Sequence, residues 1–100
     1  MKPPVYCLVS VKVRKERLND ARRQMRLLEK DVLSRAGCLQ YHHLQNLDDP
    51  TRFTGYGIFA SHSDLEAHFE MMKARRTGDD ALDGIMDPDV EVTVQTMDRI

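Results

Sequence analysis

One hundred residues, 41% of them hydrophobic, are enough for a single domain with one core, residues 1–100. Fifteen basic and sixteen acidic residues leave a net charge of −1, so composition makes no case for nucleic acid or a membrane surface as a partner. The N-terminus, MKPPVYCLVSVKV, lacks an apolar run of signal-peptide length, and no stretch approaches the ~20 apolar residues of a membrane span. A soluble cytoplasmic protein is therefore expected.

Val5, Cys7, Val9, Val11 and Val13 alternate with Tyr6, Leu8, Ser10 and Lys12, which predicts a strand with one strongly apolar face. Pro3 and Pro4 stand just before it, where a missing N–H does little harm. From Glu16 to Ala36 the period changes: Leu18, Ala21, Met25, Leu28 and Val32 recur at helical steps, opposite Arg22, Arg23, Arg26 and Lys30. Gly37 offers the left-handed residue that commonly ends a helix. Residues 39–46 predict a second strand and 52–60 a third, joined through the turn LDDPT. Two capping boxes then overlap, Ser61 with Asp64 and Ser63 with Glu66, and predict a second helix running to about Arg76, before Thr77-Gly78. DDALDGIMDPD holds a short helical turn at most, and residues 90–97 predict the last strand.

The order β-α-β-β-α-β is the ferredoxin-like α+β arrangement, a four-stranded antiparallel sheet with two helices on one face. The other sheet face carries Tyr6, Leu8, Tyr56 and Ile58, and is too apolar to stand bare on a small domain. A homodimer with its sheets packed together is the simplest cover. Cys7 and Cys38 form no CxxC or metal-ligand pair and are expected as free thiols. The His42-His43 pair cannot chelate one ion, because adjacent strand residues point to opposite faces. The five aspartates at 79, 80, 83, 87 and 89 are spaced too irregularly for an EF-hand loop and predict a solvated surface. Among the residues there is no P-loop, GxGxxG or RNP-type motif.

AGCLQYHHL (residues 36–44), followed by RFTGYGIFASHSDLEAHFEM (residues 52–71), resembles the antibiotic biosynthesis monooxygenase domain, a dimeric α+β barrel family. Gly37, Cys38 and Tyr41, then Phe53, Phe59, Leu65 and His68, match that family's ordered pattern. The resemblance implies oxidation of quinols, anthrones or related polyketide aromatics by molecular oxygen, without metal or flavin, in a cavity between sheet and helices. Other members degrade haem or isomerise a small phosphorylated sugar, so an isomerase or a non-catalytic ligand-binding dimer is the alternative. Here Phe59 stands for the family's common Trp and Gly57 for the Glu two residues before it. The haem-degrading members' Asn on the first strand is Val11, and its loss together with the Trp argues against haem degradation.

One residue in the second helix breaks its own pattern. Leu65, His68, Phe69 and Met72 share a face at i, i+3, i+4 and i+7, and His68 alone among them is polar. A part-buried imidazole is kept neutral by desolvation, and a neutral imidazole can accept a phenolic proton. His68 is thus the candidate base, with Phe59, Tyr41, His43 and Phe53 as candidate substrate contacts and no cofactor or metal called for. Gly55 and Gly57, between Phe53 and Phe59 on one strand face, predict either a close approach or room for a flat ligand.

Overall fold

The computed structural model describes residues 3–74 and 84–100. β1 (Val5–Lys12), β2 (Cys38–Gln45), β3 (Arg52–Phe59) and β4 (Thr93–Met97) form one four-stranded sheet in the order β2-β3-β1-β4. Every neighbouring pair is antiparallel. α1 (Leu18–Leu33) and α2 (His62–Ala74) complete the ferredoxin-like α+β fold.

Several boundaries move inward from those predicted, each for a local reason. Lys15–Arg17 form a 3-10 turn ahead of α1, because Arg17 at the cap position supplies no oxygen to the first helical N–H groups. At the other end the Ser34 hydroxyl donates to the Asp31 carbonyl at 2.6 Å, and its N–H turns back on Lys30 and Asp31. α1 therefore stops at Leu33, before Gly37. Gly37 does take a positive φ of 91°, but in the turn leading to β2 rather than at the helix cap. The first 3 residues of the predicted last strand are withheld from the sheet by a turn in which the Val90 N–H donates to the Asp87 carbonyl at 3.3 Å. The predicted end of α2 at Arg76, and Thr77-Gly78, lie outside the described residues, as do Asp79, Asp80 and Asp83.

Of the two overlapping capping boxes the first is used. Ser61 Oγ accepts from the Asp64 N–H at 3.2 Å and donates to the Asp64 carboxylate at 2.7 Å. The same carboxylate occupies the place where a Gly37 side chain would stand. Ala60 N–H donates to the Gly37 carbonyl at 2.8 Å. The start of α2 is thereby pinned to the start of β2, which sets the rotation of α2 and so the direction of its buried residues, Leu65 and His68.

β2 carries a bulge: Cys38 pairs with Phe59 and Gln40 with Ile58, so Leu39 is the extra residue. Beyond the bulge Tyr41 and His43 face the helices, while His42 and Leu44 face away.

The core on the helix side is divided. One cluster joins Val5, Cys7, Leu28, Val32, Tyr41, Phe59 and Leu65. A second joins Val13, Ala21, Met25, Phe53 and Ile85. Ile85 reaches it because residues 85–87 pair with the chain after β1, through Val13–Met86 and the Arg14 N–H to Ile85 carbonyl bond of 2.8 Å. Between the clusters the sheet presents the row Val9, Gly55, His43, which the register sets side by side. The outer sheet face keeps Tyr6, Leu8, Tyr56 and Ile58 only half-buried, with Leu44 and Met97 exposed.

Candidate functional site

The gap between the two core clusters is a cavity of about 490 Å³. Its floor is Val9, Val11 and Gly55 of the sheet; Met25 and Leu28 of α1 wall one side and His68, Phe69 and Met72 of α2 the other. The lining is mostly apolar. Its inner polar groups are Tyr41, His43 and His68, while Glu66, Glu70 and Lys73 are exposed on α2, with Glu70 and Lys73 paired at 3.2 Å.

The two strand glycines have different jobs. A Cβ on Gly57 would stand 2.7 Å from Phe59 Cε2 and 3.2 Å from Tyr41 Cδ2, so the space above Gly57 is taken by aromatic rings. A Cβ on Gly55 would meet Tyr41 Oη at 3.4 Å and His43 Cδ2 at 3.6 Å, which is room rather than clash. The glycine that opens space is Gly55.

His68 is 7% exposed, and its ring lies 4.8 Å from that of Phe59 and 5.5 Å from that of Tyr41, centroid to centroid. Its Nδ1 is buried and has no hydrogen-bond partner among the described residues. Burial pushes its pKa from 6.5 down to about 4, with the positive charge of Arg35 and repulsion from His43 adding to the effect. The ring is neutral near pH 7.

His43 sits across the cavity, with its Nε2 3.4 Å from Tyr41 Oη and the two rings edge to face at 5.0 Å. Burial lowers its pKa too, opposed by the Glu29 carboxylate and the Met25 carbonyl beside the ring. Glu29 also accepts from the His43 backbone N–H at 3.3 Å, which holds the carboxylate close. No atom among the described residues completes a hydrogen bond with His43 Nδ1.

Of the residues picked out from the sequence, Tyr41, His43, His68 and Phe53 meet at the cavity. Phe59 is placed behind His68 in the upper core cluster, 2% exposed, and is not part of the lining. Arg52, at the start of β3, is exposed and paired with Asp49 at 3.4 Å. Among the described residues no group of three potential metal ligands occurs, and no helix is long and apolar enough to cross a membrane. Cys7 is buried and Cys38 half-buried, both as free thiols. Sequence periodicity did not single out Glu29. It lies one turn after Met25 on α1, and only the packing of α1 on β2 brings it to His43.

Residues 4–77 match the family model described as antibiotic biosynthesis monooxygenase. The chain belongs to this family. Its fold is shared with a Nitrosomonas europaea protein carrying the same family description, at a TM-score of 0.83 and 19% identity over 100% of this chain and 93% of that one. A conserved protein from Methanosarcina mazei superposes with a TM-score of 0.79 at 16% identity, covering 98% of this chain and 94% of its own. A Deinococcus radiodurans protein with the family description gives 0.76 at 13% identity, covering 95% and 91%. At such identities the likeness is one of fold. No curated protein matches the chain.

The depressed pKa of His68 makes stability depend on pH. The unfolded chain takes up a proton near 6.5, and the folded one resists until about 4. The unfolded state therefore binds more protons within that window, and stability falls as pH drops through it. Allowing for partial solvent screening, the loss amounts to about 2–3 kcal/mol. Urea titrations at pH 7.5 and 4.5 should show it as a lower midpoint at the acid end. That range stays above the titration of Asp20 and Asp49, whose carboxyls are held low by Arg17 and by Thr51. His68→Gln should remove most of the difference, leaving the smaller share of His43.

Proposed function

We propose that the protein is a cofactor-independent monooxygenase that oxidises a flat quinol- or polyketide-like aromatic with molecular oxygen, using His68 as base. The observation that carries this reading is a neutral imidazole whose buried Nδ1 has no hydrogen-bond partner among the described residues, set against a mostly apolar cavity of about 490 Å³. An apolar cavity selects an uncharged aromatic and excludes water. The exposed, paired state of Arg52 weighs against an anionic sugar as substrate.

His68 takes the proton of a phenolic hydroxyl. In the empty site the ring is a weak base, but a phenolate formed beside it favours the imidazolium, since opposite charges attract strongly where water is excluded. The electron-rich phenolate passes one electron to oxygen, and the resulting superoxide and aryloxyl radical join at a ring carbon bearing hydrogen. The peroxide anion so formed takes the proton back from His68. Loss of the hydrogen on that carbon as a proton and cleavage of the O–O bond leave a carbonyl and one water. One oxygen atom enters the product and the other leaves as water, so the substrate supplies every electron and no reductant is needed.

Purified metal-free protein should consume oxygen in the presence of hydroquinones, naphthols or anthrones, and ¹⁸O₂ should label the product with one atom. His68→Ala should slow uptake by at least about a hundredfold while the circular dichroism spectrum stays native. Uptake no faster than the spontaneous rate, or uptake untouched in His68→Ala, would overturn the assignment.

The reading includes a homodimer formed through the outer sheet face, where Tyr6, Leu8, Tyr56 and Ile58 are only half-buried and Leu44 and Met97 are exposed in one chain. Sedimentation equilibrium should give the mass of two chains. Leu8→Lys, which buries a charge at that face, should give the mass of one. A monomeric wild type would contradict the dimer.

A further inference from the structure

The cavity has an inner and an outer end. The pairing of β4 with β1, β1 with β3 and β3 with β2 puts Val94, Val9, Gly55 and His43 in one row across the sheet. All four line the cavity. Neighbouring strands lie about 4.8 Å apart, so the row floors a trough about 14 Å long. Exposure is graded along it. Gly55 is buried, Val9 is half-buried, and Val94, on the edge strand β4, is 51% exposed. His68 stands at the inner end, its ring 5.5 Å from Tyr41 of β2 and 4.8 Å from Phe59 of β3. The direction along β1 is shut. There Val13 and Ala21 are 1% exposed and Ile85 3%, packed with Phe53 in the second core cluster. A ligand longer than one ring therefore finds room across the strands, toward β4.

We propose that the ligand lies across the strands, with a hydroxylated ring over Gly55 beside His68 and an apolar substituent, opposite the hydroxyl, that passes over Val9 and ends at Val94. The inference rests on the oxygenase reading for the hydroxyl at His68 and deepens it by naming the shape of the substrate. The substituent is apolar because Val9, Phe69, Met72 and Val94 border the cavity there and offer no side-chain hydrogen bond. Past Val94 the ligand stands in water, so further length gains nothing. Val94 is thus a specificity-determining residue: it touches the far end of the ligand and takes no part in the chemistry.

Binding without turnover tests this. Calorimetric titrations under nitrogen would compare 4-ethyl-, 4-hexyl- and 4-octylphenol with 4-hexylanisole. The hexyl compound, which is about as long as the trough, should bind at least about tenfold more tightly than the ethyl one, as burial of the added methylenes requires. 4-Octylphenol should add no more than about twofold, its end being outside. 4-Hexylanisole, with no hydroxyl to donate at His68, should bind about tenfold less tightly than 4-hexylphenol. Val94→Asp should leave 4-ethylphenol within about twofold and cut the hexyl gain to less than about threefold, since a charge at the outer end opposes burial of the chain. Val94→Thr, of the same shape, should lose part of the gain. Met86→Gln, at the Val13 end, should leave all four affinities unchanged. A gain that continues undiminished to 4-octylphenol, survives Val94→Asp or is lost in Met86→Gln overturns the orientation, as do equal binding of 4-hexylphenol and 4-hexylanisole and failure of all four probes to bind. A hexyl gain that depends on Val94, found in a protein that takes up no oxygen, keeps the orientation and removes the oxygenase reading. Oxygen uptake without such a gain does the reverse.

Discussion

A missing side chain at Gly55 organises this molecule. It occupies the middle of the row Val9, Gly55, His43, and there the sheet cannot touch the helices above it. Close packing would otherwise run unbroken from Val5 to Val13, as interiors of this size normally require. Instead the core splits into two clusters, one on each side of the cavity. What lies between is a cavity whose walls are fixed by secondary structure on three sides. Sites built on strands and helices keep their geometry better than sites on loops.

The second constraint is electrostatic. Two imidazoles border the cavity, and His43, like Arg35, lowers the tendency of His68 to carry charge. A proton on His68 is therefore costly in this space. An unpartnered buried nitrogen destabilises the fold by about 1–3 kcal/mol, so His68 is a poor choice of residue for stability alone. Its position follows from the Ser61–Asp64 cap and the contact of Asp64 with Gly37, which together set how α2 lies on the sheet. The fold thus spends stability at one place, and that place faces the cavity.

Much of this was readable in the residues. Valine alternation in β1, the helical stripe of α1 and the cap at Ser61 each express a local physical preference, and each element formed. The ring of His68 faced the core because a helical face is set by period alone. Elsewhere local preference lost to tertiary contact. The bulge at Leu39, which aligns Cys38 and Tyr41 on the same side, has no local signal. Phe59 looked like a cavity wall because β3 alternation puts it on the face of Phe53 and Gly55. It sits instead at the end of the strand, where its ring folds back over Gly57 and beneath His68. Glu29 acts on His43 only because α1 lies across β2, and Arg35, in the turn after α1, acts on His68 of α2; a sequence period cannot show which residues of another element lie opposite.

A neutral, buried His68 is what the site requires above all. Its most direct test is a pH titration of the ring by nuclear magnetic resonance, with ¹³C- and ¹⁵N-labelled histidine and His68→Gln for assignment. A ring that stays neutral through pH 5.5 and takes up its proton at about 4 is what burial beside Phe59 and Tyr41 requires. A ring that titrates near 6.5, like an imidazole in water, would contradict the burial of His68 and the role given to it.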